Sequence, residues 1–165
     1  MCLLIPLTFN TTIVQLIAKS FFSRLWTVFL IVGFSMVAVS AAASAMNIGD
    51  EYGGGKVAWI DGTGQHGMIA AKADLPGGNS YSWNEATHAC RDLVENGYSD
   101  WYLPTQAELE KLHEAKSAVG GFVDYSYWSS TEGCARYAWF QDFGIGSQTN
   151  DSKNFKWRVR PVRSF

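Results

Sequence analysis

Glu110 and His113, in the run "ELEKLH" (108–113), stand at the spacing of a Glu-x-x-His metal pair. A carboxylate-bridged metal site needs further Glu ligands and a second such pair from other helices. The chain supplies neither, so His113 reads as a surface histidine beside helix acids, and His66 and His88 are equally alone. Gly53-Gly54-Gly55-Lys56 has the look of a phosphate loop, but no Ser or Thr follows Lys56, and Asp50 and Glu51 would repel phosphate. It is expected to be a turn or bulge. "QTNDSKN" (148–154) offers Gln148, Asn150, Asp151 and Asn154 as oxygen donors for a hard cation such as calcium. Only Asp151 is charged and Lys153 interrupts the set, so turn chemistry is the better reading. No metal and no other cofactor is expected. Cys90 and Cys134 are the remaining chemical pair; in an exported domain an even pair suggests a disulfide, the alternative being two buried thiols.

The elements that would position these residues follow from periodicity. "GDEYGGGKVAWIDGTGQHGMIAA" (49–71) reads as a hairpin, with Val57 to Ile60 and Met68 to Ala71 as its strands. "SWNEATHACRDLVENG" (82–97) reads as a helix with a Ser82/Glu85 capping box, an apolar face from Trp83 to Val94, and a stop at Asn96-Gly97. In "DWYLPTQAELEKL" (100–112) Pro104 fixes the entry, and Thr105 with Glu108 forms a second capping box. Leu109, Leu112 and Ala115 form the buried stripe of that helix, Gly120-Gly121 ends it, and Glu110 and Glu114 fall on its solvated side. From 122 onward the period changes to two. "YWSST" (127–131) and "ARYAWFQDF" (135–143) read as strands, the latter with Tyr137, Trp139, Gln141 and Phe143 on one face. "GIGSQTNDSKN" (144–154) reads as a turn or loop. "FKWRVRPVRSF" alternates again, with Phe155, Trp157 and Val159 opposite Lys156, Arg158 and Arg160. A hairpin, two helices and several antiparallel strands make an α+β domain.

The chain has 165 residues, with 13 Lys and Arg against 15 Asp and Glu. Leu25 to Ala45 carries no charge, follows Lys19 and Arg24, and ends in Ala43-Ser44-Ala45, the marks of a secretory signal peptide. An uncleaved anchor is the alternative, since the run is long enough to span a bilayer. Either way residues 46–165 form the domain and lie outside, in the periplasm, at the cell surface or beyond. Membrane contact is then expected only through the N-terminal segment, if it is retained. Loss of Lys19 and Arg24 leaves the domain more acidic, which argues against nucleic acid as a partner.

Five blocks occur in order: "GGGKVAWIDGTGQHGMIAA", "GYSDWYLPTQAELEKL", "YWSSTE", "ARYAWFQDF" and "RVRPVRSF". Over residues 49 to 165 the chain resembles the domain at the C-terminus of the Legionella collagen-like protein, the Lcl C-terminal family. The resemblance implies a C-type-lectin-like fold: two helices packed on a twisted antiparallel sheet, with the N- and C-terminal strands close together. Many relatives carry a longer insert before the first helix, where this chain has only "KADLPGGNSYS" (72–82), so any ligand contact made by that insert is in doubt.

A fold of this kind serves several functions. Three readings compete: a surface module that binds glycan or protein, a structural domain of an envelope assembly, and an enzyme similar to the formylglycine-generating oxidases, which carry a comparable Leu-Pro-Thr-x-x-Glu motif. The oxidase reading needs a reactive, metal-binding cysteine pair close together in one region, whereas Thr105 and Glu108 are already explained as caps. No nucleophile elbow or paired-carboxylate constellation stands out, so binding rather than catalysis is expected. The expected contacts are Tyr137, Trp139, Gln141, Gln148, Asn150 and Lys153, where aromatic rings beside amides suit a sugar or protein epitope.

Overall fold

The computed structural model of the chain describes residues 45–76 and 81–165, all within the compact unit Ser44–Phe165. The expected leader, with its cleavage or retention, lies outside the described residues except for Ala45. Among the described residues no helix is long and apolar enough to cross a membrane.

β1 (Glu51–Tyr52) and β2 (Gly55–Ile60) pair antiparallel, with Tyr52 opposite Gly55. The two residues between them, Gly53 and Gly54, have φ of 53° and 85°. Positive φ at both central positions is what a tight hairpin turn of this length demands, and glycine meets it without a Cβ clash. The glycine run is therefore the expected turn and no phosphate loop. β2 pairs with β3 (Gly67–Ala70) through a bulge between Val57 and Trp59, and β3 pairs with β7 (Val162–Ser164). The first sheet runs β1-β2-β3-β7, which sets the two ends of the domain in one sheet. The second sheet, order β4-β5-β6, consists of β4 (Ser126–Cys134), β5 (Tyr137–Asp142) and β6 (Gln148–Ser152).

The expected α+β class is present, with two separate antiparallel sheets where one twisted sheet had been expected. β6 corrects the reading of 144–154 as turn or loop. Its residues are poor strand formers, but a full antiparallel ladder to β5, from Tyr137 opposite Ser152 to Gln141 opposite Gln148, outweighs that weak local preference. The last alternating run is corrected too. Only Val162–Ser164 is strand, because Pro161 has no N–H to give a ladder and the stretch before it makes only isolated bridges at Trp157 and Arg158.

α1 (Trp83–Arg91) starts where the capping box places it and ends earlier than the sequence suggests. The backbone N–H groups of Asp92 and Leu93 close its last turn, Asn96-Gly97 forms a separate tight turn between Glu95 and Tyr98, and Val94 is 74% exposed. α2 (Gln106–Glu114) begins at Thr105 and is followed by α3 (Lys116–Val119), capped by Gly120. α2 packs against β2 of one sheet and against β4 and β5 of the other. Leu109 and Leu112 are buried there with Ala58, Met68, Tyr127 and Phe143. α1 covers a second cluster, in which Ala86 and Cys90 meet Trp128, Ala138 and Val159.

Residues 100–104 join the two sheets. Tyr102 exchanges both backbone hydrogen bonds with Val162 at 2.8 and 2.9 Å, and the Pro104 carbonyl accepts from Ser130 N–H at 2.7 Å. Trp101 and Leu103 are buried on either side. The Tyr102 hydroxyl donates to Glu108 at 2.8 Å. The quoted stretch is thus a scaffold crossing, with its acid Glu108 committed to the helix start.

Candidate functional site

The register of β5 with β6 sets Gln141 opposite Gln148, Trp139 opposite Asn150, and Tyr137 opposite Ser152. Side chains two apart on a strand share a face. One face of this ribbon therefore carries five of the six expected contacts: Tyr137, Trp139, Gln141, Gln148 and Asn150. The face is not uniform along its length. At the far end Tyr137 is 41% exposed and Asn150 is exposed, with Trp139 half-buried between. At the near end α2 covers it.

Under α2 lies a chain of amides. Gln106 Nε2 donates to Gln148 Oε1 at 2.9 Å, Gln148 Nε2 donates to Gln141 Oε1 at 3.1 Å and to the Gln106 carbonyl at 3.0 Å, and Gln141 Nε2 donates to Glu110 Oε2 at 2.7 Å. Gln141 is fully buried. This corrects its assignment as a ligand contact, because its donors and acceptor are spent inside the domain. It also corrects Glu110, which the helix period placed toward solvent; a buried amide on β5 draws it inward. His113 is half-buried, edge-on to Phe143 at 5.3 Å. Gln148, half-buried, belongs to the same internal network.

Lys153 does not stand free. Its ammonium meets Glu132 at 2.7 Å and lies 4.2 Å from the Trp83 ring centroid, with 14% of the side chain exposed. Its carbonyl accepts from Trp83 N–H at 3.0 Å, so Lys153 ties the start of α1 to the end of β6. What remains open on this face is Tyr137, Trp139 and Asn150, an aromatic pair beside one amide.

The expected disulfide is absent: Cys90 and Cys134 are both free. Cys90 points into the cluster beneath α1, and Cys134 is exposed where β4 turns toward β5. Burial pushes the Cys90 thiol up to about 12, so it is protonated and inert. The calcium reading of 148–154 does not assemble either, since strand alternation sends Asp151 to the face opposite Gln148 and Asn150. Among the described residues no three His, Cys, Asp or Glu side chains gather as metal ligands.

Two features were not legible beforehand. A groove of about 280 Å³ runs along the Gly53-Gly54 turn. Its charged and amide side chains are already paired, Lys72 with Glu51 at 2.8 Å and Asn96 Nδ2 with the Gly54 carbonyl at 2.7 Å. On the other face of the second sheet, Phe140 joins an aromatic cluster centred on Trp157, with Phe155 and Tyr125 both exposed. The alternation of Phe155 and Trp157 hinted at a shared side, but nothing local indicated that Tyr125 and Phe140 would meet them.

No curated protein matches the chain. The Lcl C-terminal domain family matches residues 56–163, a span that starts in β2, ends in β7, and includes α1, α2, α3 and the whole second sheet. The chain belongs to the Lcl C-terminal domain family.

Proposed function

We propose that residues 46–165 form a C-type-lectin-like binding module, exported to the periplasm, the cell surface or beyond, that recognises a glycan or protein ligand. The observation that carries this reading is the open end of the β5–β6 face, where Tyr137 and Asn150 are exposed on either side of Trp139. A solvated aromatic next to an amide offers a stacking surface and paired hydrogen-bonding groups on rigid strands, which suits recognition. Thr105 and Glu108 bond to each other at the start of α2, which supports binding over an oxidase-like role for that motif. Two main helices packed on antiparallel sheet, with the first and last strands of the domain in one sheet, support the lectin-like reading of the fold. The uncharged run before Ala45 supports export.

Alanine variants of Tyr137 and Asn150 test the site. Both are expected to keep the wild-type melting temperature while losing adhesion to the cognate surface, screened on glycan and matrix-protein arrays. Wild-type binding by both variants, together with loss on changes in residues 72–82, would move the site to the other end of the domain. N-terminal mass spectrometry of the native protein, expected to show a chain starting at Met46, tests export with cleavage.

A further inference from the structure

Trp157 is the common neighbour of an aromatic cluster on the side of the second sheet away from α2. Phe155 lies 5.9 Å from it with ring planes only 14° apart, Tyr125 lies 5.9 Å away at 67°, and Phe140 lies 5.3 Å away beneath. Phe155 is 51% exposed and Tyr125 is 47% exposed, so two large rings are held in fixed positions with much of their surface in water. Water contact on rings that are already ordered is unfavourable, and their rigidity removes most of the entropy cost of a further contact.

The charges around the cluster are matched. Arg158 pairs with Asp74 at 3.3 Å, Lys156 with Glu85 at 3.3 Å, and Lys116 with Asp124 at 3.9 Å. A polyanion needs uncompensated cations, and these three are each compensated. The Trp157 indole N–H is enclosed and has no acceptor among the described residues. An orphaned donor of this kind favours a ligand that carries hydrogen-bond acceptors over a purely apolar one. Rigid rings, paired charges at Arg158, Lys156 and Lys116, and an unsatisfied donor together favour a neutral, hydroxyl-rich ligand whose C–H faces can stack.

We propose that Phe155, Trp157 and Tyr125 form a second binding surface, separate from the Tyr137–Asn150 face, that takes a neutral oligosaccharide. The sugar stacks on Phe155 and Trp157, Tyr125 bounds one side, and a hydroxyl or ring oxygen accepts from the Trp157 N–H, which is enclosed in the free protein and is uncovered on binding.

The test titrates the full chain with cellohexaose, chitohexaose and mannohexaose, following tryptophan fluorescence, at low and high salt, with heparin oligosaccharide as the charged comparison. At least one neutral hexasaccharide is expected to bind, equally at both salt concentrations. Phe155→Ala and Tyr125→Ala are expected to weaken that binding about tenfold at unchanged melting temperature. Tyr137→Ala is expected to leave it untouched. No binding of any of the three neutral sugars would overturn the proposal, as would neutral-sugar binding that survives both Phe155→Ala and Tyr125→Ala. Loss of that binding on Tyr137→Ala alone would also overturn it while supporting the β5–β6 site. Salt-sensitive heparin binding abolished by Phe155→Ala, or a dimer in sedimentation that this variant dissolves, would assign the surface to a polyanion or a second copy and overturn it too.

Discussion

Glu85 accepts hydrogen bonds from the Ser82 hydroxyl at 2.7 Å and the Ser82 backbone N–H at 2.8 Å, with Lys156 at 3.3 Å. The Ser82 hydroxyl bond first, then its N–H and Lys156, hold this carboxyl well below its usual 4.5, at about 2. A depressed carboxyl contributes stability that is fully present above its unfolded value and lost as pH falls through its folded value. The contribution of Glu85 should therefore disappear between about pH 4.5 and 2, and NMR titration of its side-chain carboxyl should give a midpoint near the lower end. A midpoint at the ordinary value would mean the cap is not formed. The cysteines make a second prediction at this scale. With Cys90 buried and its thiol pushed up to about 12, maleimide should label Cys134 in the folded protein and Cys90 only after denaturation. Peptide mapping that shows neither thiol labelled in the unfolded, unreduced protein would instead mean a bridge. The pairing could not be read from the sequence, because which face of a helix a cysteine takes and where a strand turns are settled by packing.

α2 is the element whose start the sequence marks most clearly. Thr105 Oγ1 accepts from Glu108 N–H at 3.3 Å, and the Glu108 carboxylate accepts from Thr105 N–H at 2.8 Å. Thr105→Ala is expected to cost about 1 kcal/mol through loss of that cap. Leu109, 1% exposed between the two sheets, is expected to cost ~2–5 kcal/mol on change to Ala, by lost transfer energy and the cavity left behind. Urea unfolding of both variants checks the order; equal losses would mean that Leu109 is not in the shared core. The same helix shows where periodicity fails. Its 3.6-residue repeat places Leu109 and Leu112 correctly, yet assigns Glu110 to water, because no local signal announces that Gln141 will be buried opposite it. β6 fails for the related reason that strand pairing supplies backbone hydrogen bonds that the letters "QTNDS" do not advertise.

At the scale of the molecule, Arg160 joins segments distant in sequence. It is 1% exposed and donates to Asp74 at 2.8 Å, to the Gly121 carbonyl at 2.7 Å, and to the Ala71 and Gly120 carbonyls at 3.2 Å each. Its guanidinium lies 4.1 Å from the Phe122 ring centroid. Asp74 also accepts from the Tyr127 hydroxyl at 2.9 Å, which links β4 to the same node. Removing Arg160 leaves Asp74 with only the longer Arg158 pair at 3.3 Å and takes the guanidinium donor from three backbone carbonyls, so Arg160→Met is expected to cost about 3–5 kcal/mol in equilibrium unfolding. A loss under about 1 kcal/mol, typical of an exposed pair, would show that the node is solvated.

The capping boxes at Ser82 and Thr105, the hairpin strands around Val57 and Met68, and the strands around Trp128 and Trp139 were determined by the sequence alone, because each rests on contacts within a few residues or on a two-residue period. The family was legible for the same reason, through blocks that are local and ordered. Tertiary structure alone decided that the strands divide into two sheets, that Arg160 turns inward to Asp74, that Gln141 is sealed beneath α2 while Tyr137 on the same face stays open, and that Phe155, Trp157 and Tyr125 share a surface. Each of these depends on which distant segment covers a given side chain, and burial by a distant segment leaves no periodic trace in the residues it covers.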